Sequence, residues 1–382
     1  MAYVLASLER YFLMIGELPF FLNYIIPFLA ILTVIVFVHE MGHYLVARWN
    51  GVAIDAFSIG FGPELIGWTD KRGTRWRIAA FPLGGYVKFT GDMKAASVPD
   101  PDADKYDPAI RANLFSNKSV FQRMAVVVAG PAANFLLTFL ILYAMLLGYG
   151  RLTLDPVVGD VIADSPAAVA GLESGDRFLS VDGYAIRGFE DVQRIVSTAP
   201  ERTVSMVVER NGERLNLSLV PRTETTTTRF GRELKVGRMG VTRDVGEDDI
   251  VLYRPGPLEA VGMTFEEIAF IIDRTLNFLG DIFIGRADLD QVAGPVGMAQ
   301  VSGEVATLGL LALVNLTALL SLNIGIINLF PVPMLDGGHL MYYLYEAVRG
   351  RPLSQRVQEI GYRIGFALVC TLMVFTLIND LV

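Results

Sequence analysis

Uncharged positions are not scattered along this chain but gathered into runs. Residues 18–38, 124–150 and 305–335 contain no Asp, Glu, Lys or Arg, and a shorter run of the same kind covers 364–379. A helix needs about 20 apolar residues to cross the hydrocarbon of a bilayer. The first three runs reach that length. The fourth reaches it if the helix starts near Ile360 and leaves Arg363 at an interface. The pattern predicts four spanning helices, over about 18–43, 124–150, 305–345 and 360–380.

Between the runs the period changes. Residues 50–95 hold short apolar stretches punctuated by Gly and Pro, which predict strands of a β-hairpin or small sheet. They are apolar enough to dip toward the membrane. Residues 96–118 are polar and acidic and read as a surface loop. Residues 155–221 predict a compact α+β domain. Ser165 stands as a helix N-cap before a Gly171 stop, 190–197 forms a second helix, and Asn211-Gly212 makes a hairpin turn between 204–209 and 215–220. Residues 222–256, with their Thr-rich start at 223–228, read as a linker with short strands. Within 257–303, Leu258, Val261, Phe265, Ile268, Ile272 and Leu276 share one side of an amphipathic helix, which suits the membrane surface or the side of the helix bundle better than a further pass. The fold class is thus a polytopic α-helical membrane protein. Its two halves, 1–150 and 304–382, bracket an extracytoplasmic α+β domain.

Composition agrees: the chain is 52% hydrophobic and only 19% charged, which few soluble proteins of 382 residues are. Basic residues near short loops mark the cytoplasmic side. The loop before the fourth span carries Arg349, Arg351, Arg356 and Arg363, and the tail after it carries none. Both termini and the α+β domain are then outside, while Lys71, Arg72, Arg75, Arg77, Lys88 and Lys94 lie inside. The start of the chain lacks the pattern of a cleavable signal peptide. Cys370 is the one cysteine, so a disulfide within the chain and a cysteine metal site are excluded. A net charge of −8 gives no sign of nucleic-acid binding.

Histidine narrows the chemistry. The chain has three, and two fall in His39-Glu40-Met41-Gly42-His43, at the end of the first run. Residues four apart share a helix face, so both imidazoles can hold one Zn²⁺. Glu40 is then placed to take a proton from the attacking water. Ionisable groups in a span are costly and mark function. A catalytic zinc needs a third protein ligand, and Asp336 and His339, which end the third run, are the candidates. In the orientation above, both pairs lie toward the cytoplasmic side. Two other readings stay open: a zinc protease with a solvent-facing site, and a membrane adaptor with a vestigial metal site, for which Glu40 would have no use.

His39 to His43, Pro82-Leu-Gly-Gly-Tyr-Val87, Gly130-Pro-Ala-Ala-Asn134 and Asn328-Leu-Phe-Pro-Val-Pro-Met-Leu-Asp-Gly337 resemble, in this order, the site-2 protease family of intramembrane zinc metalloproteases. Ser321 to Pro331, with Ile378-Asn-Asp, looks like its bacterial RseP branch. The resemblance implies His39, His43 and Asp336 as ligands of one zinc ion, with His339 mainly supporting them. It implies Glu40 as base and Asn134 as an oxyanion donor, whose bland alternative is helix packing. Gly84, Gly85, Tyr86, Val87, Asn323, Asn328, Pro331 and Pro333 match positions associated with substrate, the bland alternative for Asn323 and Asn328 being hydrogen bonds between helices. Residues 155–221 look like a PDZ domain, a single copy where that branch often has two, with residues 157–161 as an edge for peptide or as part of a purely structural module. The implied substrates are single-pass proteins of the bacterial inner membrane already trimmed by another protease, such as anti-sigma factors, or signal-peptide remnants. Their release would serve stress-response transcription.

Overall fold

The structure is a computed structural model that describes residues 20–91, 107–227, 233–242, 250–285 and 292–381. Residues 96–106 of the expected surface loop and the start of the chain fall outside them. The second half of that loop, 107–118, is not all surface, for it forms a helical turn at Pro108–Arg111 and another at Phe115–Asn117 and buries Leu114 and Phe115. Helix α1 (Phe20–Trp49) leads into strands β1 (Ile54–Thr69) and β2 (Arg75–Phe89), and α2 (Val120–Tyr149) follows. Then come β3 (Arg151–Leu154), β4 (Asp160–Val161), α3 (Pro166–Val169), β5 (Arg177–Val181), β6 (Tyr184–Ala185) and α4 (Phe189–Ser197). Strands β7 (Val204–Arg210), β8 (Glu213–Leu219), β9 (Arg222–Thr227), β10 (Glu233–Arg238), β11 (Val241–Thr242) and β12 (Ile250–Tyr253) continue. Helices α5 (Pro257–Phe283), α6 (Pro295–Thr307), α7 (Leu310–Asn328), α8 (Asp336–Arg349) and α9 (Gln355–Leu381) complete it. Two compact units result, 144–263 and the remainder.

In the helical unit, α1, α2, α7 and α9 are long and apolar enough to cross a membrane. The most apolar window of α9 has a mean hydropathy of 1.8, yet only 11% of it is buried inside the protein. A water-soluble helix that apolar would be covered by its neighbours. The third uncharged run proves shorter as a helix than as a run. Gly309, at φ +103°, separates α6 from α7, and the segment 329–335 separates α7 from α8. The expected amphipathic region at 257–303 is likewise two helices, α5 and α6. Ile268 of α5 packs on Leu322 and Ile326 of α7. Ala306 of α6 packs with Ile31 and Ile35 of α1 and with Leu313 and Leu316.

The hairpin curls back on itself. The first half of β1 pairs with residues 85–89 on one side and 75–78 on the other, and its second half pairs with 75–79. Segment 85–89 is therefore an edge, with no further strand beside it among the described residues. Phe57 anchors the hairpin to α1: it is 1% exposed, stacks on Trp76 at 4.6 Å and meets the Tyr44 ring edge-on at 5.8 Å. Phe61, Leu65, Trp68, Phe81 and Leu83 point outward, exposed.

The second unit is built on the sheet β6-β5-β7-β8. Asn211 and Gly212 turn at φ +54° and +84°, the left-handed pair that a two-residue hairpin needs. Ser165 caps α3 by accepting from the Ala168 amide at 3.2 Å. Asp176, fully buried, accepts from Arg210 Nε (2.7 Å) and Nη2 (2.8 Å) and from the Glu173 amide (2.9 Å). The unit does not stop at residue 221. Residues 223–227 of the Thr-rich stretch, read above as linker, form β9 and pair with β10. Threonine is β-branched and suits a strand once a partner is available. β11 pairs with β4, and β12 pairs with β3. One side of the expected peptide-binding edge at 157–161 is thereby occupied. Asp160 and Val161 pair with Thr242 and Val241, and Val157 bridges to Arg177.

Candidate metal centre

His39 and His43 lie on one face of α1, one turn apart, and Asp336 is the first residue of α8. Their ligand-capable atoms converge: His39 Nε2 stands 3.1 Å from Asp336 Oδ2, His43 Nε2 3.5 Å from it, and the two Nε2 atoms 3.2 Å from each other. Among the described residues these three form the group able to hold a metal ion. The arrangement fits zinc. Ligands about 2.0–2.2 Å from a tetrahedral zinc stand about 3.3–3.6 Å apart, close to the separations seen. His43 Nδ1 donates to the Val126 carbonyl at 2.8 Å, which leaves a lone pair on its Nε2 facing the other imidazole. Asp336 Oδ2 is buried and receives no hydrogen bond. Lone pairs and a carboxylate turned inward upon one point call for a cation there.

Close packing of α2 makes this geometry possible. A Cβ on Gly130 would land on the His43 ring and 2.8 Å from His39 Nε2, so α2 can press against both imidazoles only with glycine there. A Cβ on Gly42 would strike the Ala129 carbonyl in the same crossing. Pro131 removes a backbone donor from this part of α2. One turn on, Asn134 is fully buried with its amide 3.2 Å from His39 Nδ1. The Asn134 carbonyl accepts from Ser321 Oγ (3.0 Å) and Thr138 Oγ1 (3.0 Å), which ties α2 to α7. Near the start of α2, Arg123 Nη2 donates to Glu346 of α8 at 2.6 Å and lies over the Tyr343 ring.

Asp336 is aimed by its own loop. Met334 sits at φ +106°, a conformation held by its surroundings. Cβ atoms at Gly337 and Gly338 would collide with backbone at 329–330 and 332–333, and one at Gly365 of α9 would collide with the Pro333 carbonyl. Pro331 and Pro333 thus lie in a tight turn wedged between α8 and α9. His339, one turn into α8, falls outside the three-residue group and stands edge-on to Tyr342.

Glu40 meets the hairpin. The Val87 backbone amide donates to its carboxylate. A Cβ on Gly85 would come within 2.8 Å of Val36 Cγ1 and 3.1 Å of Glu40 Cγ, so glycine lets the strand lie on α1 at this point. Gly84, at φ +147°, faces the Phe61 ring, and Tyr86 Oη accepts from Arg77 Nη1 at 3.0 Å. Of the other expected substrate residues, Asn328 ends α7 just before the proline turn. Asn323 Oδ1 accepts from Thr275 of α5 at 2.9 Å. Sequence reasoning missed Val126 and Arg123. A backbone carbonyl leaves no trace in a sequence, whereas an arginine opening an apolar run was a visible signal.

Comparison with known proteins gives a consistent picture. The profile of peptidase family M50 matches residues 27–372. A protein of Agrobacterium fabrum provisionally named a zinc metalloprotease is 48% identical over 364 residues, 95% of this chain and 96% of that protein. The metalloprotease MmpA of Caulobacter vibrioides is 39% identical, over 94% of this chain and 96% of its own length. Among solved structures, the PDZ domain of an SdrC-like protein from Listeria monocytogenes matches 24% of this chain and 90% of that domain, with 22% identity and a TM-score of 0.17.

Proposed function

Since the chain belongs to peptidase family M50, the site-2 protease family, and is a membrane-bound zinc metalloprotease, we propose that it cuts peptide bonds within the membrane-spanning segments of single-pass proteins. The observation that carries this reading is the meeting of three features in the second half of apolar helix α1 and beside it. They are the His39–His43–Asp336 cluster, the Glu40 carboxylate beside it, and the free strand edge at 85–89 that touches Glu40.

Each feature answers a physical difficulty of the reaction. A transmembrane helix hides its peptide bonds in its own hydrogen bonds, and freeing them in lipid is costly. The edge formed by Gly85, Tyr86 and Val87, apart from the Val87 amide that Glu40 holds, offers backbone partners to an unwound substrate. The amides of Asn323 and Asn328 are suited to satisfy further backbone groups, Asn323 once it leaves Thr275. The turn at Pro331 and Pro333 is backbone of the kind tolerated at membrane depth only where it lines a cavity. His39, His43 and Asp336 would hold the zinc. When bound, zinc acidifies the attacking water and polarises the scissile carbonyl. Glu40 takes the proton of that water and delivers it to the leaving amine.

In this reading the site faces the cytoplasm of a bacterial inner membrane, and the 144–263 unit and both termini lie outside. The substrates are proteins already trimmed by another protease, of the anti-sigma-factor or signal-peptide-remnant kind. The test is cleavage of a single-pass reporter in detergent. Glu40→Gln is expected to lower the rate by about 10²–10⁴-fold while still binding zinc, and a zinc chelator is expected to abolish it. Cuts confined to soluble loops would move the site out of the membrane. Undiminished cleavage by Glu40→Gln would overturn the role of Glu40.

A further inference from the structure

The two histidines of the metal cluster are oriented by different means. His43 Nδ1 donates to a backbone carbonyl, that of Val126, at 2.8 Å. His39 Nδ1 has the side-chain amide of Asn134 beside it, at 3.2 Å. A histidine that offers Nε2 to a metal carries its proton on Nδ1, and that N–H needs an acceptor. If the amide nitrogen faced His39, two N–H groups would oppose each other. The amide oxygen would also stay buried with no donor, which is where Oδ1 of Asn134 is found. The two ends of an amide have nearly the same shape, and the hydrogen bonds decide which way round it sits.

We infer that Asn134 turns its carbonyl Oδ1 toward His39 and accepts the Nδ1 proton, making it the positioning residue of that zinc ligand. The bond fixes the tautomer, so that the Nε2 lone pair points at the metal, and it stops the ring from rotating away. Asn134 is well held for this task. It is fully buried, and its backbone carbonyl takes hydroxyl donors from both α2 and α7. A Cβ on Gly325 would lie 3.4 Å from its own Cβ, so the facing helix leaves it little room to move. The asymmetry makes the inference testable, because no side-chain substitution removes the Val126 carbonyl, whereas one substitution removes the acceptor of His39.

The inference rests on the reading of His39 as a zinc ligand, and the experiment separates the two. Zinc affinity of the full-length chain in detergent is measured by competition with a chromophoric chelator, and the Co²⁺-loaded protein is read by its d–d absorption. Asn134→Ala is expected to weaken zinc binding by about 10–100-fold and to alter the cobalt spectrum. Asn134→Asp keeps an acceptor in place and is expected to bind zinc at least as tightly as the unaltered protein. Unchanged affinity and spectrum in Asn134→Ala overturn the inference. If Asn134→Ala does not fold, Asn134→Asp decides: a tenfold or greater loss of affinity in that folded variant overturns it as well. Failure of the unaltered protein to bind zinc would instead remove the reading of the site itself.

Discussion

Gly130 shows how much a single position decides at the metal centre. Its missing side chain is the space that lets α2 lie against both imidazoles. An added methyl group would have to displace the rings or the helix, and overpacking of this kind costs about 1–3 kcal/mol. Gly130→Ala is therefore expected to weaken zinc affinity by about tenfold or more, since 1.4 kcal/mol corresponds to a factor of ten, and to lower the cleavage rate and the zinc retained after dialysis against a chelator. Gly148→Ala, on the same helix but with nothing within 4 Å, should behave as the unaltered protein. Metal analysis of the two purified variants after that dialysis checks this. Equal retained zinc would mean that the site tolerates a wider helix crossing than its geometry implies. Gly-Pro-x-x-Asn is readable in a sequence as a motif, but its two functions, room for the histidines at Gly130 and an acceptor at Asn134, become distinct only in three dimensions.

At the scale of elements, the informative join is between α6 and α9. A helix begins with N–H groups that have no partner inside it. Asp380, near the end of α9, supplies those partners for α6: Oδ1 accepts from Gly294 N at 3.0 Å, and Oδ2 from Val296 N at 3.0 Å and Gly297 N at 2.9 Å. Asn379 Nδ2 adds a bond to the Val292 carbonyl. A carboxylate at a helix N-terminus also meets the positive end of the helix dipole. The same α6 packs against α1, with Gly303 under the Tyr24 ring. Asp380→Ala would strip this cap and leave buried donors unpaired, at about 1–3 kcal/mol. It is expected to lower the thermal midpoint of the detergent-solubilised protein, with Asp380→Asn in between. A midpoint unmoved in Asp380→Ala would show that water replaces the carboxylate. Asn379 and Asp380 were visible as part of a family-like segment; that they cap a distant helix was not, because capping from another helix carries no local signal.

For the whole molecule, the arrangement that matters is the meeting of α1 with the start of α8, which brings together residues nearly 300 positions apart in the numbering. His39 and His43 lie in the second half of α1, and Asp336 follows the end of α7; the proposed orientation places them toward the cytoplasmic side. That orientation is open to a direct measurement. In a Cys370→Ser background, Lys71→Cys in the β1–β2 turn and Glu213→Cys in the 144–263 unit are both exposed. A membrane-impermeant maleimide added to intact spheroplasts should label the second and spare the first. The reverse pattern would invert the topology and put the site on the outer side.

The sequence by itself determined the apolar solvent of the helices, the class of chemistry and the His39–His43 pair, with Asp336 and His339 as candidates for the third member; the tertiary structure grouped Asp336 with the pair. Uncharged runs of spanning length, a two-histidine motif at the end of one and an aspartate at the end of another are local or periodic signals, and such signals survive in one dimension. The Asn-Gly turn and the Ser165 cap were legible for the same reason. Tertiary structure decided what depends on neighbours distant in the chain. It paired one side of 160–161 with β11, turned a threonine-rich linker into β9, divided the third uncharged run at Gly309, and brought Val87 to Glu40 and Asn134 to His39. A strand edge is free or paired, and an amide is a donor or an acceptor, only according to what stands opposite. What stands opposite is set by packing, to which apolar periodicity contributes a face but no partner.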